Sequence, residues 1–542
     1  MKEYNRYFKI AAFLILTGGM QIPAQELPEI LWDKTIGGNF ADQIGGIYPS
    51  ADNGWYLFGT SSSNTGFEKS AAPYTMFGND LWVLKYNSNW EKEWDKVLGG
   101  TDEENLAGVV RSTDGGFVLA ATSRSMASGD KSEDARSQDM EDYWVVKLDA
   151  DGNKVWDKTY GGVDIDVLSR IRRHPWGGYL LAGTSYSGKS GDKTQDSFGK
   201  QDWWVLRIDE QGNILWDKVF GGERFDQNPG IFDMDDGFII TGISDSPPSG
   251  NKTAEVRGSY DAWLVKIDFS GNKVWDKTFG GEENEGGASI AIAQGGGYML
   301  SITSKSGISG NKTTPDFGAD DAWFVKVDSS FEIEWDKTLG TVHQDHLSAR
   351  MAGGGGYILT GNHTVEEAQP GGGIINYGQR WLVHTDDDLN TIWDFKFGGD
   401  KNETGGAAWR LEPDTTMILM GSNSDSDISG DKTEDSRGGP DFWLTMIQMP
   451  FGLYSGIARQ PETYEIKLFP NPVSGNLLFV ESAKDRIESV EFYSLSGMKV
   501  LSRNPVGERS AGIDVTHLKP GMYVSCIIME NGCTLNRKFI KK

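Results

Sequence analysis

Cysteine is almost absent from this chain: Cys526 and Cys533 are the only two in 542 residues. Disulfides therefore cannot be its scaffold, whatever the compartment. If Asn531-Gly532 makes a two-residue hairpin turn, Cys526 faces Arg537 and Cys533 faces Glu530. The sulfurs are then too far apart to bond, and two unpaired thiols are expected. Basic residues are in deficit, 52 against 78 acidic, for a net charge of −26. That balance argues against nucleic acid and anionic membranes as partners and favours solubility or cation binding. Beyond residues 10–16 no apolar run of comparable character occurs, and even that one is too short to span a bilayer. The motifs H-E-x-x-H and G-x-S-x-G and a phosphate-cradling glycine loop are missing too, and with them the chemistries that need those spacings.

What the chain does have begins with Lys2, Arg6 and Lys9, the apolar run at 10–16 and Pro23-Ala24-Gln25. This pattern predicts a secretory signal peptide over residues 1–24, cleaved after Ala24 and leaving no transmembrane anchor. No cysteine stands near the cleavage point to carry a lipid.

The dominant feature is a repeat. Trp-Asp-Lys followed by a glycine pair starts at Trp32 and returns at Trp94, Trp156, Trp216, Trp275 and Trp335, with a degenerate copy at Trp393. The steps are 62, 62, 60, 59, 60 and 58 residues. A fixed period of this size marks a supersecondary unit that buries its faces only against its neighbours. In the unit over residues 161–218, four short runs rich in β-branched and aromatic residues alternate with Gly, Asp and Asn clusters. They read as four antiparallel strands. The third strand carries its own tryptophan, at Trp82, Trp144, Trp204, Trp263, Trp323, Trp381 and Trp443. An Asp stands two residues before six of these: Asp80, Asp142, Asp202, Asp261, Asp321 and Asp441. Four-stranded units of about 60 residues predict a β-propeller. The first Trp-Asp-Lys precedes the first three-strand set, and no copy follows Trp443. The expected fold is therefore all-β: a seven-bladed propeller over residues 27–448, closed by the N-terminal strand at 30–34, which removes exposed sheet edges.

The turn Asp209-x-x-Gly212-Asn213-x-x-Trp216 resembles the repeat of quinoprotein-type propellers of secreted bacterial proteins. The resemblance spans residues 27–448 and concerns the fold, since that family's cofactor sites are not apparent in these residues. After a linker at 449–464 the pattern changes to Leu468-Phe469-Pro470-Asn471-Pro472, Val490-Glu491-Phe492-Tyr493-Ser494-Leu495-Ser496-Gly497 and Leu518-Lys519-Pro520-Gly521-Met522-Tyr523. Residues 465–542 closely resemble the type A C-terminal sorting domain of the Bacteroidetes type IX secretion system. The resemblance implies a small β-sandwich recognised by the secretion machinery at the outer membrane and usually removed, with cargo released or held at the cell surface. Short strands with alternating apolar residues support a sandwich independently.

Candidate functional residues follow the repeat. An acid recurs after each glycine pair or its equivalent: Asp42, Glu104, Asp166, Asp226, Glu285, Asp345 and Glu403. In a propeller these would ring one mouth of the channel, as a site for a divalent cation or a polyhydroxylated ligand. The competing reading is a repeated clip accepting backbone or tryptophan N–H groups; no other cofactor is expected. The Asp before each third-strand tryptophan reads as turn chemistry. The loop Ser-Gly-Asp/Asn-Lys, as at residues 190–193, reads as a self-bonded Asx-type turn, because it lacks calcium-loop spacing. The sixth unit breaks the pattern with Gly340-Thr341, Gln379-Arg380 and four of the six histidines. Of these His343, His346 and His363, with Asp345, are candidate transition-metal ligands. Fourteen of the 19 tryptophans sit at the two repeat positions and are assigned to packing rather than sugar stacking. The functional expectation is an exported, non-catalytic binding or scaffold module for a protein or glycan, outside the cell or on its surface. The alternative is a secreted glycan-active hydrolase or lyase using carboxylates at the channel mouth.

Overall fold

The computed structural model describes residues 27–450 and 466–542, apart from the stretches 53, 76–77, 352–354, 369–373, 406–408, 412–416, 472, 483–485, 495–498, 504–508, 520 and 530–533. The expected signal peptide and most of the linker lie outside the described residues, as does Cys533.

The described residues hold only strands and turns, with no helix. Residues 42–448 form consecutive antiparallel sheets of four strand positions. The third is representative: Asp166–Arg173, Tyr179–Ser185, Asp202–Ile208 and Ile214–Phe220, hydrogen-bonded in chain order. Five others span residues 42–98, 104–160, 226–279, 289–339 and 345–397. The last sheet, from residue 403 to 448, takes its outermost strand from the start of the chain. Glu29–Ile36 pairs antiparallel with Asp441–Gln448, so that Thr35 stands opposite Trp443.

The second and third strands of each sheet are buried on both faces, which their continuous apolar runs anticipate. The outermost strands alternate between buried and exposed positions. Buried clusters draw residues from two successive sheets: Val145 and Tyr143 pack with Leu181 and Trp204, and Trp203 and Leu180 with Trp263 and Ile240. Phe442 and Leu444 of the last sheet pack with Trp82 and Leu57 of the first.

Residues 466–542 form two further antiparallel sheets around their own core of Val480, Val490, Phe492, Ile513, Ile527 and Phe539. Here the predicted register is corrected: Cys526 stands opposite Asn536, not Arg537, and the last pair is Ile528 with Thr534. The pairing is thus shifted by one residue along the partner strand.

Candidate functional site

The Trp-Asp-Lys repeat is a hydrogen bond between strands. The third-strand tryptophan donates its indole N–H to the outer-strand aspartate, Trp144 to Asp157 at 3.0 Å and Trp204 to Asp217 at 3.1 Å. The same bond recurs in all seven sheets, and Trp443 finds its acceptor in Asp33, 410 residues earlier, at 2.8 Å. A buried indole N–H needs a partner. Sequence reading saw the two tryptophan series separately and missed that the aspartate of one serves the indole of the other. The constant offset of 13 residues between them within a sheet is the signal that could have linked them.

Six of the seven candidate acids open the first strand of their sheet, and Glu285 lies four residues before Ser289–Ile292. All are buried, between 0% and 3% exposed. Asp166 accepts from Gly162 N at 2.7 Å and from Ser187 Oγ at 2.9 Å. Equivalent clips hold Asp42, Glu104, Asp226, Glu285, Asp345 and Glu403. The backbone N–H groups of Asp42, Glu104, Asp166, Asp226, Glu285 and Asp345 cross to the preceding sheet, as Asp166 N does to Glu141 O at 2.7 Å. Burial and these clips turn the seven carboxylates away from bulk solvent.

Six of these seven acids face a second one. Asp80 of the first sheet lies beside Glu104 of the next, and a Cβ on Gly99 would sit 2.1 Å from Asp80 Oδ1 and 2.8 Å from Glu104 Oε2. Gly280 is wedged in the same way between Asp261 and Glu285. The second glycine of each pair is equally constrained, with Ser187 Cβ 2.4 Å from where a Cβ on Gly162 would lie. The third-strand aspartates use Oδ2 to cap their own loop, as Asp142 does for Arg136 N at 2.6 Å. Oδ1 of Asp80, Asp142, Asp202, Asp321 and Asp441 is left buried without another partner. Burial, with the like charge across the joint, raises Asp80, Asp142 and Asp441 to about 7 and Asp202 and Asp321 to about 6. A proton kept on the third-strand aspartate relieves the repulsion between two such neighbouring carboxyl groups. At the remaining joint Gln379 takes the place of the aspartate beside Glu403.

The Ser-Gly-Asp/Asn-Lys loop is a clamp on the glycine-pair loop rather than a self-contained turn. Asp192 accepts from Gly161 N at 3.2 Å, and Ser190 Oγ accepts from Val163 N at 3.0 Å. Its lysine turns inward, with Lys193 donating to Ser185 Oγ and Ser197 Oγ at 2.8 Å each. Burial lowers Lys69 and Lys131 to about 8. Their charge balances the acids of the same sheet, a role that the lysine's recurrence in otherwise variable loops could have indicated.

In the sixth sheet His363 takes up the acid instead, its Nδ1 2.8 Å from Asp345 Oδ1. His346 Nδ1 bonds Thr303 Oγ1 at 3.0 Å, and His343 Nδ1 lies 3.8 Å from Glu366. The fold brings Asp345 and His363 together and sends His343 and His346 elsewhere. No group of three metal-ligating side chains occurs among the described residues.

The glycine-pair loops and the clamps share one end of the sheets, and successive sheets are tied there. Arg136 bonds Asp192 of the next sheet at 2.7 Å, and Arg437 of the last reaches Glu68 of the first at 3.3 Å. On this braced face stand Phe67, Val163, Ile308, Phe317, Val342 and Ile428, half to two-thirds exposed.

The smaller unit carries a separate function. Its core of short alternating strands spans the region in which a family model finds its match. Residues 467–542 match the secretion system C-terminal sorting domain. The chain is accordingly a secreted protein handled by the type IX machinery, extracellular or at the cell surface. No helix of the described residues is long and apolar enough to cross a membrane. No curated protein matches the chain. Among solved structures, a protein of unknown function from Dyadobacter fermentans aligns at 9% identity over 78% of this chain and 99% of its own, with a TM-score of 0.39. Hydrazine synthase of Kuenenia stuttgartiensis aligns at 12% identity over 70% of this chain and 93% of its own, with a TM-score of 0.38. Likenesses this distant carry no functional argument.

Proposed function

We propose that the sheets over residues 27–448 are the blades of a seven-bladed β-propeller with quinoprotein-like turns, closed by the strand Glu29–Ile36. A signal peptide at 1–24 precedes it, and a linker at 449–464 leads to the sorting domain at 465–542. The mature protein is a binding or scaffold module that presents its braced loop face to a protein or glycan ligand outside the cell. One observation carries this reading. Large apolar side chains, Val163 at 61%, Ile308 at 68% and Ile428 at 61% exposure, are held out on loops that hydrogen bonds keep rigid. Exposed apolar groups on a preorganised frame are what a protein-binding surface needs.

The test uses the secreted chain immobilised on a biosensor, with a glycan array and the surface proteins of the producing bacterium as probes. Replacing Val163, Ile308 and Ile428 together by Ser should weaken capture roughly 10-fold while leaving the melting temperature unchanged. Unaltered capture, or cleavage of an arrayed glycan, would overturn the reading.

A further inference from the structure

The repeat places a cation at one fixed position of the third strand, opposite the tryptophan of Trp-Asp-Lys. Lys85 faces Trp94, Lys147 faces Trp156, Lys266 faces Trp275 and Lys326 faces Trp335. In each case an acid neutralises it. Lys85 bonds Asp52 at 2.9 Å, Lys147 bonds Asp114 at 2.6 Å, Lys326 bonds Glu334 at 2.8 Å, and Lys266 pairs with Asp236. Asp52 and Asp114 lie in the turn between the first two strands, two residues after Ser50 and Ser112, whose N–H groups close the turn on Gly54 O and Gly116 O. The third sheet changes both members of the pair. Arg207 takes the place of the lysine, facing Trp216. Trp176 takes the place of the acid, two residues after His174, whose N–H closes the same turn on Gly178 O at 2.9 Å.

Nothing replaces the lost carboxylate. The described residues give the half-buried Arg207 guanidinium no hydrogen bond and no ion pair, and its Nε is buried without a partner. Its contact is with the Trp176 ring, 5.4 Å from the centroid. Glu210, in the turn after the third strand, spends its oxygens on Gly178 N at 3.0 Å and Tyr179 OH at 2.9 Å. A second donor is orphaned beside Arg207. Trp156 gives its indole N–H to Glu210 O at 3.2 Å, and the equivalent acceptor for Trp216 is Phe269 O. His174 holds that oxygen with its Nε2 at 3.1 Å, while its Nδ1 accepts from Trp176 N at 3.1 Å. Trp216 Nε1 is left buried and unpaired. The same histidine fixes the turn, together with Gly177 and Gly178 at φ 83° and 72°. The Trp176 ring is thereby held 60% exposed against Phe269, at 5.3 Å. One place thus offers a preset flat aromatic surface and an edge of donors with no acceptor.

A ligand that completes this place needs a flat apolar face for the indole. It also needs an oxyanion for the guanidinium, whose planar fork matches a carboxylate through two parallel hydrogen bonds. A sugar ring bearing a carboxylate combines the two, and export puts the chain among extracellular polymers. We propose that Trp176 and Arg207 form a binding site for an acidic sugar residue of an extracellular polysaccharide, with the sugar ring stacked on Trp176 and its carboxylate on Arg207. The site lies at the joint between the third and fourth sheets, at the strand ends remote from the loop face. It is independent of what that face binds.

Calorimetric titration of the full secreted chain with a tetramer of galacturonate, and with the uncharged tetramer of galactose, tests this. Saturable binding of the acidic tetramer is expected, roughly 10-fold or more tighter than that of the neutral one. The double substitution Trp176→Asp and Arg207→Lys rebuilds the ion pair that the first two sheets carry. It should abolish binding with no loss of melting temperature. Arg207→Lys alone should weaken the acidic tetramer about 10-fold and leave the neutral one unchanged, a split that unfolding could not produce. Replacing Val163, Ile308 and Ile428 by Ser should leave both titrations unchanged, which separates failure here from failure of the loop-face reading. Absence of saturable binding in the unaltered chain, equal binding of the two tetramers, or undiminished binding by the double variant would overturn the proposal.

Discussion

At the residue scale, the carboxyl pairs at the joints make the molecule sensitive to pH. Asp80, Asp142 and Asp441 hold their protons to about 7 in the folded chain, against 3.8 for an ordinary aspartate. The unfolded chain releases those protons first. Stability is therefore full below pH 4, declines as pH rises, and has lost this contribution once pH passes about 7. The outer-strand aspartates act in the opposite sense. Asp276, buried but held by Lys273, Thr253 and Ala254, is lowered to about 2, so its contribution is lost only as pH falls toward that value. The expected outcome is a melting temperature that drops by roughly 5 °C or more between pH 5 and pH 7.5, measured by scanning calorimetry. The double substitution Asp80→Asn and Asp142→Asn should flatten that slope, because an amide donates to the facing carboxylate without titrating. Gln379 stands beside Glu403 at one joint, where its amide donates to Gly399 O at 3.4 Å and carries no titrating proton.

At the element scale, each outer strand supplies the acceptor that keeps an indole inside the sheet. Glu29–Ile36 does so for a strand more than 400 positions away in sequence, through Asp33 and Trp443. Asp33 also accepts from Thr433 N at 3.0 Å. Asp33→Ala strands the Trp443 N–H and should cost roughly 2 to 3 kcal/mol, about as much as Asp157→Ala within a continuous sheet. Denaturant unfolding of the two variants checks this. A much smaller effect for Asp33 would mean that the first strand is only loosely held. The turns before the outer strands add a second local device. Gly152, Gly212 and Gly271 adopt positive φ values of 74°, 83° and 80° beneath the tryptophans Trp94, Trp156 and Trp216. Phe331 takes the same conformation at φ 60° and is nonetheless buried, packed at 5.1 Å from Trp275 and 4.8 Å from Tyr298. Its backbone strain is offset by aromatic packing that glycine cannot supply.

At the scale of the whole molecule, two units divide the work: the repeated sheets and the sorting domain that takes the chain out of the cell. Deleting residues 467–542 should leave the repeat folded but retained in the periplasm. Immunoblots of periplasm and culture medium decide this, and export of the truncated chain would contradict it. The predicted register of the last hairpin failed at this level. A two-residue Asn-Gly turn was locally reasonable, but the actual pairing of Cys526 with Asn536 aligns strands that share a core with Phe492 and Phe539.

The sequence by itself determined the all-β class, four strands per unit, the glycine pairs and the export tail. Those features are periodic or local, written by side-chain alternation, turn residues and recurrence. Only the tertiary structure decided what Asp42 or Glu104 does. A carboxylate is a ligand, a clip or half of a shared-proton pair according to what faces it across a sheet joint, and its partner lies 399 residues away for Asp42 and 24 for Glu104. The same reason hid the ion pair of Arg172 with Asp233 of the next sheet, 3.8 Å apart.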